Sequence, residues 1–232
     1  MKADRTLEAH MIEPLRELMT HELHLDVISE ESSAGYGVAD LVGAKICENK
    51  ASRRRAIATE ETIGHRLLVK VFLAVRTNGR TSIRSILNRV AISESTLRKS
   101  ILPQLAGAGI IERFTDGYVR LVCEIPNPMK EVIAVEAKQT KWRAAILQAR
   151  RYTFFANKSY VAVWNGTARL VDRSLLYRHR LGLIVVEPDS AKVLVEAPDR
   201  NPRKPEMHRY CAEFLYGRLL QQESKGQGEG RR

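Results

Sequence analysis

The sequence predicts an α/β fold in which one domain is interrupted by a helix-rich insertion, and three observations carry this. An amphipathic helix and two short apolar strands occupy the first 44 residues. A strand–helix–strand pattern resumes after Pro126-Asn127-Pro128. Between them, residues 62–122 show helical periodicity and then a hairpin. Each flanking half alone would expose an unpaired sheet edge, so the two halves are expected to form one sheet. The predicted boundaries are 1–58 with 124–222 for the α/β domain, 59–123 for the insertion, and 223–232 for a disordered Gly/Gln-rich tail.

Taken in order, Leu7, Met11, Leu15 and Leu18 recur at helical spacing over residues 4–20, and Pro14 is expected to weaken or kink that helix. Strands follow near Leu25–Ser29 and Val38–Ala44, and the basic run Lys50–Arg55 reads as a connector. In the insertion, Ile63, Leu67, Leu68, Val71, Phe72 and Val75 form one apolar face that Asn78-Gly79 ends. Thr81 or Ser82 can cap a second helix and Ser93 a third, the third interrupted by Pro103. Ile110–Phe114 and Tyr118–Val122 flank Thr115-Asp116-Gly117 as a hairpin. Beyond the insertion come a strand at Val132–Ala137, a helix at Trp142–Ala156 and a strand at Ser159–Trp164. A helix near Thr167–Tyr177, strands at Leu183–Glu187 and Lys192–Glu196, and a last helix near Met207–Leu220 complete the series.

Composition narrows the function classes. Hydrophobic residues make up 44% and charged residues 28%, the balance of a globular protein, and no apolar stretch approaches the roughly 20 residues a bilayer requires. The opening residues carry no apolar run and the three cysteines lie far apart, so a cytoplasmic protein without disulfides or a structural zinc is expected. Lys plus Arg outnumber Asp plus Glu by 38 to 27, an electrostatic footprint suited to nucleic acid.

The strongest chemical signal is Glu131-Val-Ile-Ala-Val-Glu-Ala-Lys138. Alternate residues of a strand share a face, so Glu136 and Lys138 project together from an otherwise apolar strand. The E-x-K spacing occurs three times, but Glu48-Asn-Lys50 and Glu223-Ser-Lys225 lie in polar segments. Asp40 stands equally alone in the apolar strand Gly37-Val-Ala-Asp40-Leu-Val-Gly43. Two carboxylates brought together require a shared proton or a cation, and Lys138 or a divalent metal would serve. Gln148 and Tyr152, four residues apart, share one face of the following helix.

Asp40, then Glu136-Ala-Lys138, then Gln148-Ala-Arg-Arg-Tyr152 resembles the motif set of the PD-(D/E)XK nuclease superfamily, in its Q-x-x-x-Y branch. Ala39 stands where proline is common, and the insertion lengthens the Asp40–Glu136 interval. The resemblance implies a restriction-endonuclease-like mixed sheet flanked by helices. It implies that Asp40, Glu136 and the carbonyl of Ala137 bind Mg²⁺ or Mn²⁺. Lys138 would orient the attacking water and stabilise the transition state. Gln148 and Tyr152 would contact the substrate strand or brace the site. A first-helix glutamate would complete the set, with Glu8 fitting best beside Glu13 and Glu17.

Three helices followed by a hairpin resemble a winged helix-turn-helix. Residues 62–122 carry ten basic and three acidic side chains, a net +7. Ser95, Thr96, Arg98 and Lys99 lie off the Leu97/Ile101/Leu105 stripe, as a groove-reading helix requires, with Arg113 and Arg120 flanking the wing. Arg150 and Arg151 would add phosphate contacts beside the site. The expected activity is metal-dependent hydrolysis of DNA phosphodiester bonds. The expected partner is DNA, duplex, structured or single-stranded, with room for a homodimer and no membrane. The rival is a non-catalytic DNA-binding or regulatory protein that keeps a nuclease-like scaffold.

Overall fold

A computed structural model describes residues 10–33, 37–57 and 63–229, and its contacts divide the chain into two units. The first comprises Met1–Ile46 with Met129–Arg232, the second Cys47–Pro128. The insertion therefore begins earlier and ends later than the sequence suggests.

The first unit is α/β, with a mixed six-stranded sheet between helices. Helix α1 (Ile12–His21) leads to β1 (Val27–Ser33) and β2 (Val38–Ile46). After the second unit, β6 (Met129–Ala137), α7 (Trp142–Tyr152), β7 (Lys158–Trp164), α8 (Asn165–Ala168), α9 (Arg173–His179), β8 (Gly182–Glu187), β9 (Ser190–Val195) and α10 (Pro205–Glu229) complete it. The spatial order is β1-β2-β6-β7-β8-β9. β1, β2 and β6 are antiparallel neighbours, β6, β7 and β8 run parallel, and β9 returns antiparallel.

Strand alternation sorts the core into two layers. Leu41, Ile133, Val135, Tyr160 and Ile184 face α1, where Met11, Leu15, Leu18 and Met19 close that side. Val42, Val132, Ala134, Val161 and Val185 face the other way, onto Ala145, Ile146, Ala149 and Tyr152 of α7 and Leu215 and Tyr216 of α10. Gly182 is needed where it sits, because a Cβ there would lie 2.3 Å from the Tyr160 ring.

Several expectations are corrected. Pro14 does not interrupt α1. The helix begins at Ile12, so Pro14 occupies the first turn, where no N–H is required. The Asn165–Ala168 and Arg173–His179 helices are two, the second capped by Asp172, whose carboxylate accepts from the Ser174 N–H at 2.8 Å. α10 continues through the glutamine-rich segment to Glu229 instead of giving way to a disordered tail at 223.

The second unit begins with a helix, α2 (Glu48–Ala56), where the sequence suggests a connector. Its apolar periodicity is hidden because its buried positions are Ala51 and Arg54. α3 (Arg66–Ala74) is capped by His65, whose Nδ1 accepts from the Leu67 N–H at 3.2 Å. Ser82 caps α4 (Ile83–Arg89) by accepting from Ser85 N–H, while Thr81 belongs to the short strand β3 (Thr81–Ser82). The next helix is composite: α5 (Glu94–Thr96), a π-helical turn over Leu97–Ile101, and α6 (Leu102–Gly107). Proline lacks an N–H and crowds the carbonyl four residues back. The π turn, in which Leu102 N–H reaches Leu97 O, absorbs Pro103 without ending the helix. β4 (Ile111–Arg113) and β5 (Tyr118–Leu121) form the hairpin, with Gly117 at φ +79°, and β3 adds to β5 as a third strand. Cys47 N–H donates to Pro128 O at 2.8 Å, joining the ends of the unit.

Candidate functional site

β2 and β6 pair antiparallel through Leu41↔Val135 and Val42↔Ala134. One step further along this register sets Asp40 opposite Glu136, on the face that α7 covers. Directly opposed residues of neighbouring strands share a face. The ninety-five residues between them in sequence are thereby reduced to one strand spacing.

Lys138 lies between the two acids. Its Nζ is 3.2 Å from Glu136 Oε1 and 3.9 Å from Asp40 Oδ2, so those two oxygens are at most about 7 Å apart. The Ala137 N–H donates to Asp40 Oδ2 at 2.7 Å. Thus Ala137 enters the site through its amide hydrogen. Glu136 is 1% exposed, whereas the Asp40 side chain keeps 31% of its surface open.

Tyr152 reaches the same point from α7. Its hydroxyl lies 2.9 Å from Val38 O and hydrogen-bonds Glu136 Oε2. A phenol has one proton, and here it faces two acceptors. Protonation of Glu136 resolves this arrangement, since the carboxyl can then donate to Tyr152 while Tyr152 donates to Val38 O. In accord, Glu136 is pushed up to about 7, first by burial and then by the charge of Asp40, against opposing contributions from Tyr152 and Lys138. Burial and the adjacent Glu136 also raise Tyr152, which stays a neutral phenol.

The remaining expected residues divide. Gln148 sits one turn before Tyr152, half-buried, and its side chain makes no hydrogen bond among the described residues. Arg150 and Arg151 are exposed at the end of α7. Glu8 lies outside the described residues. Glu13 and Glu17 are exposed on α1, and Glu13 lies 3.7 Å from Arg16.

In the second unit, Ser95, Thr96, Arg98 and Lys99 are exposed beside the buried Leu97 and Ile101. Thr96 is engaged in the helix start, its hydroxyl 2.8 Å from Ser93 Oγ. Arg98 donates to Glu94 at 2.6 Å and Arg120 to Glu112 at 2.6 Å, while Arg80 pairs with Asp116. These pairs take up all three acids of residues 62–122. Lys99 and the exposed Arg113 have no carboxylate partner among the described residues. What the sequence does not reveal is the backbone part of the site: the Val38 carbonyl and the Ala137 N–H carry no side-chain signature.

Among the described residues there is no cluster of three or more His, Cys, Asp and Glu side chains placed to hold a metal. There is also no helix long and apolar enough to cross a membrane. No family model matches the sequence, and no curated protein matches it significantly. A Silicibacter pomeroyi protein of unknown function is similar in structure at a TM-score of 0.31 and 16% identity, over 44% of this chain and 67% of that one. A likeness at that level carries no argument about function.

Proposed function

We propose that the chain is a metal-dependent nuclease of the PD-(D/E)XK type, hydrolysing DNA phosphodiester bonds, with a winged-helix DNA-binding insertion. The observation that carries this reading is Lys138 Nζ within 4 Å of two carboxylates that come from adjacent strands of an apolar sheet. The helix–strand–strand order before the insertion, and the strand–helix–parallel strand order after it, support the same reading. For the second unit the support is the sequence of helices, hairpin and completing third strand, with the net +7 over residues 62–122.

The donor set fits a hard divalent cation. Both acids are oxygen ligands, and a buried carboxylate beside a half-buried one has its repulsion relieved by positive charge. Asp40, Glu136 and the Ala137 carbonyl would hold Mg²⁺ or Mn²⁺. Such an ion polarises a phosphodiester and acidifies a bound water. Tyr152 fixes Glu136 Oε2, leaving Oε1 directed toward Lys138. The Ala137 N–H fixes Asp40 Oδ2 in the same way. Lys138 provides the positive charge for the oxygens of the reacting phosphate, and Gln148 faces the substrate strand.

A second reading has its own observation: Lys138, Tyr152 and the Ala137 N–H already give both acids partners, which a non-catalytic scaffold would also need. One experiment separates the two. Purified protein is incubated with supercoiled plasmid, linear duplex, single-stranded DNA and RNA, with Mg²⁺ or Mn²⁺. The nuclease reading expects cleavage by the parent and a loss of at least about a hundredfold in Lys138→Ala at unchanged DNA affinity. Intact substrates throughout, with DNA still bound, would establish the scaffold.

A further inference from the structure

Three segments of the first unit that are distant in sequence bring arginines to one place. They are the last turn of α7 (Arg150, Arg151), the end of α9 (Arg178, Arg180) and the loop over residues 199–204 (Arg200, Arg203). Backbone bonds dock the loop on the end of α7: Arg203 N–H donates to Thr153 O at 3.3 Å and Lys204 N–H to Phe154 O at 2.9 Å. Asn157 Nδ2 donates to Arg200 O at 3.1 Å. The Arg200 guanidinium donates to Arg180 O, and Arg180 returns a bond to Asp199 O at 3.3 Å. Arg203 lies over the Phe154 ring at 5.9 Å.

The guanidinium groups of Arg180 and Arg200 contact carbonyls and that of Arg203 a ring, and among the described residues none of the six arginines forms an ion pair with a carboxylate. Their charges feel one another. Arg200 is pushed down to about 10 by burial and by Arg180 and Arg203, and His179 is lowered by burial and then by Arg150 and Arg178. Arginines that serve the fold are ordinarily paired, as Arg209 is with Glu213 at 2.8 Å. A cluster of unpaired, mutually repelling arginines is unfavourable unless an anion neutralises it. Arg151 also adjoins Tyr152, whose hydroxyl meets Glu136, and its charge opposes the rise of that hydroxyl.

We infer that this cluster is a phosphate-binding track that carries the nucleic-acid backbone to or from the Asp40/Glu136/Lys138 site. The inference rests on the nuclease reading and adds to it a second contact region, independent of the insertion. Guanidinium forks suit phosphate oxygens, which take two parallel N–H bonds. Arg180 and Arg200 knit the loop together. Arg150, Arg178 and Arg203 are exposed and are the residues placed to meet phosphates.

The test is Arg150→Gln/Arg178→Gln/Arg203→Gln in the full chain, with fold checked by circular dichroism. Affinity for one fluorescein-labelled duplex is titrated against salt in EDTA, beside the parent and Arg98→Ala/Lys99→Ala. Each lost phosphate contact should lower the log K–log salt slope by about 0.9 for duplex and about 0.7 for single strands, so the triple variant should lose two to three. Its affinity at moderate salt should fall on the order of tenfold or more. An unchanged slope and affinity in a folded triple variant would overturn the track even if the parent cleaves DNA. A parent that binds no nucleic acid would also overturn it. A lost slope in a protein that never cleaves with any divalent metal would keep the track and sink the nuclease reading.

Discussion

Glu136→Gln removes a charge that its surroundings oppose while keeping the size of the side chain and an oxygen for Tyr152. The Glu136 carboxyl is raised from 4.5 to about 7, and at 1% exposure solvent screens little of this. A raised carboxyl contributes its full stability below pH 4.5, and that contribution is lost as pH rises through 7. At about 1.4 kcal/mol per pH unit, the ionised parent should be about 3 kcal/mol less stable at pH 8.5 than its protonated form. The variant lacks this slope but also loses the 3.2 Å pair with Lys138, so its net gain at pH 8.5 should be about 2 kcal/mol. The assay is urea denaturation in EDTA at pH 4.5 and 8.5. Tryptophan fluorescence reports the first unit alone, because both tryptophans, Trp142 and Trp164, belong to it. Near-equal stability at pH 4.5 and a more stable variant at pH 8.5 are expected. Adding Mn²⁺ at pH 8.5 should stabilise the parent and leave the variant unmoved. A parent whose stability does not decline relative to the variant between those pH values would refute the reasoning.

Tyr152→Phe deletes the hydroxyl that meets Val38 O and Glu136 Oε2, and should cost about 1–3 kcal/mol in the same fluorescence-monitored unfolding. Gly182→Ala drives a methyl to 2.3 Å from the buried Tyr160 ring and 2.7 Å from Ala197 N, so a loss of about 1–3 kcal/mol is expected; a neutral result would mean the strand shifts freely there. Cys211 is buried and its thiol is pushed up to about 12, so Ellman's reagent should label the half-buried Cys47 and Cys123 and reach Cys211 only on unfolding.

The sheet was legible because its strands are apolar runs bounded by turn residues, and the site because a lone aspartate or glutamate is conspicuous in such a run. Asp40, Glu136 and Lys138 stand out in the sequence itself. Their spacing across the insertion required only that the two halves pair. Other features leave no such pattern. α2 turns Ala51 and Arg54 inward, so its core-facing positions read as a basic connector. Pro14 signals a break only within a helix, and in the first turn of α1 it costs no backbone bond. The bond between Tyr152 and Glu136 depends on which oxygen meets which hydroxyl, and periodicity cannot give that. Arg150, Arg151, Arg178, Arg180, Arg200 and Arg203 reach one place through backbone bonds from Arg203 and Lys204, and no local spacing announces them.

The closure of the second unit at Cys47 and Pro128 bears on the order in which the chain folds. Pairing β2 with β6 from an unfolded chain closes a loop of residues 47–128, whose entropic cost grows as the logarithm of its length. If those residues fold first, the Cys47–Pro128 bond holds their ends together and the loop shrinks to a few effective links. By the same relation this lowers the closure cost by about 2–3 kcal/mol. The insertion would then act as a folding nucleus for the sheet it interrupts. Kinetically, the central strand pair that carries Asp40 and Glu136 would form after the domain that separates them in sequence.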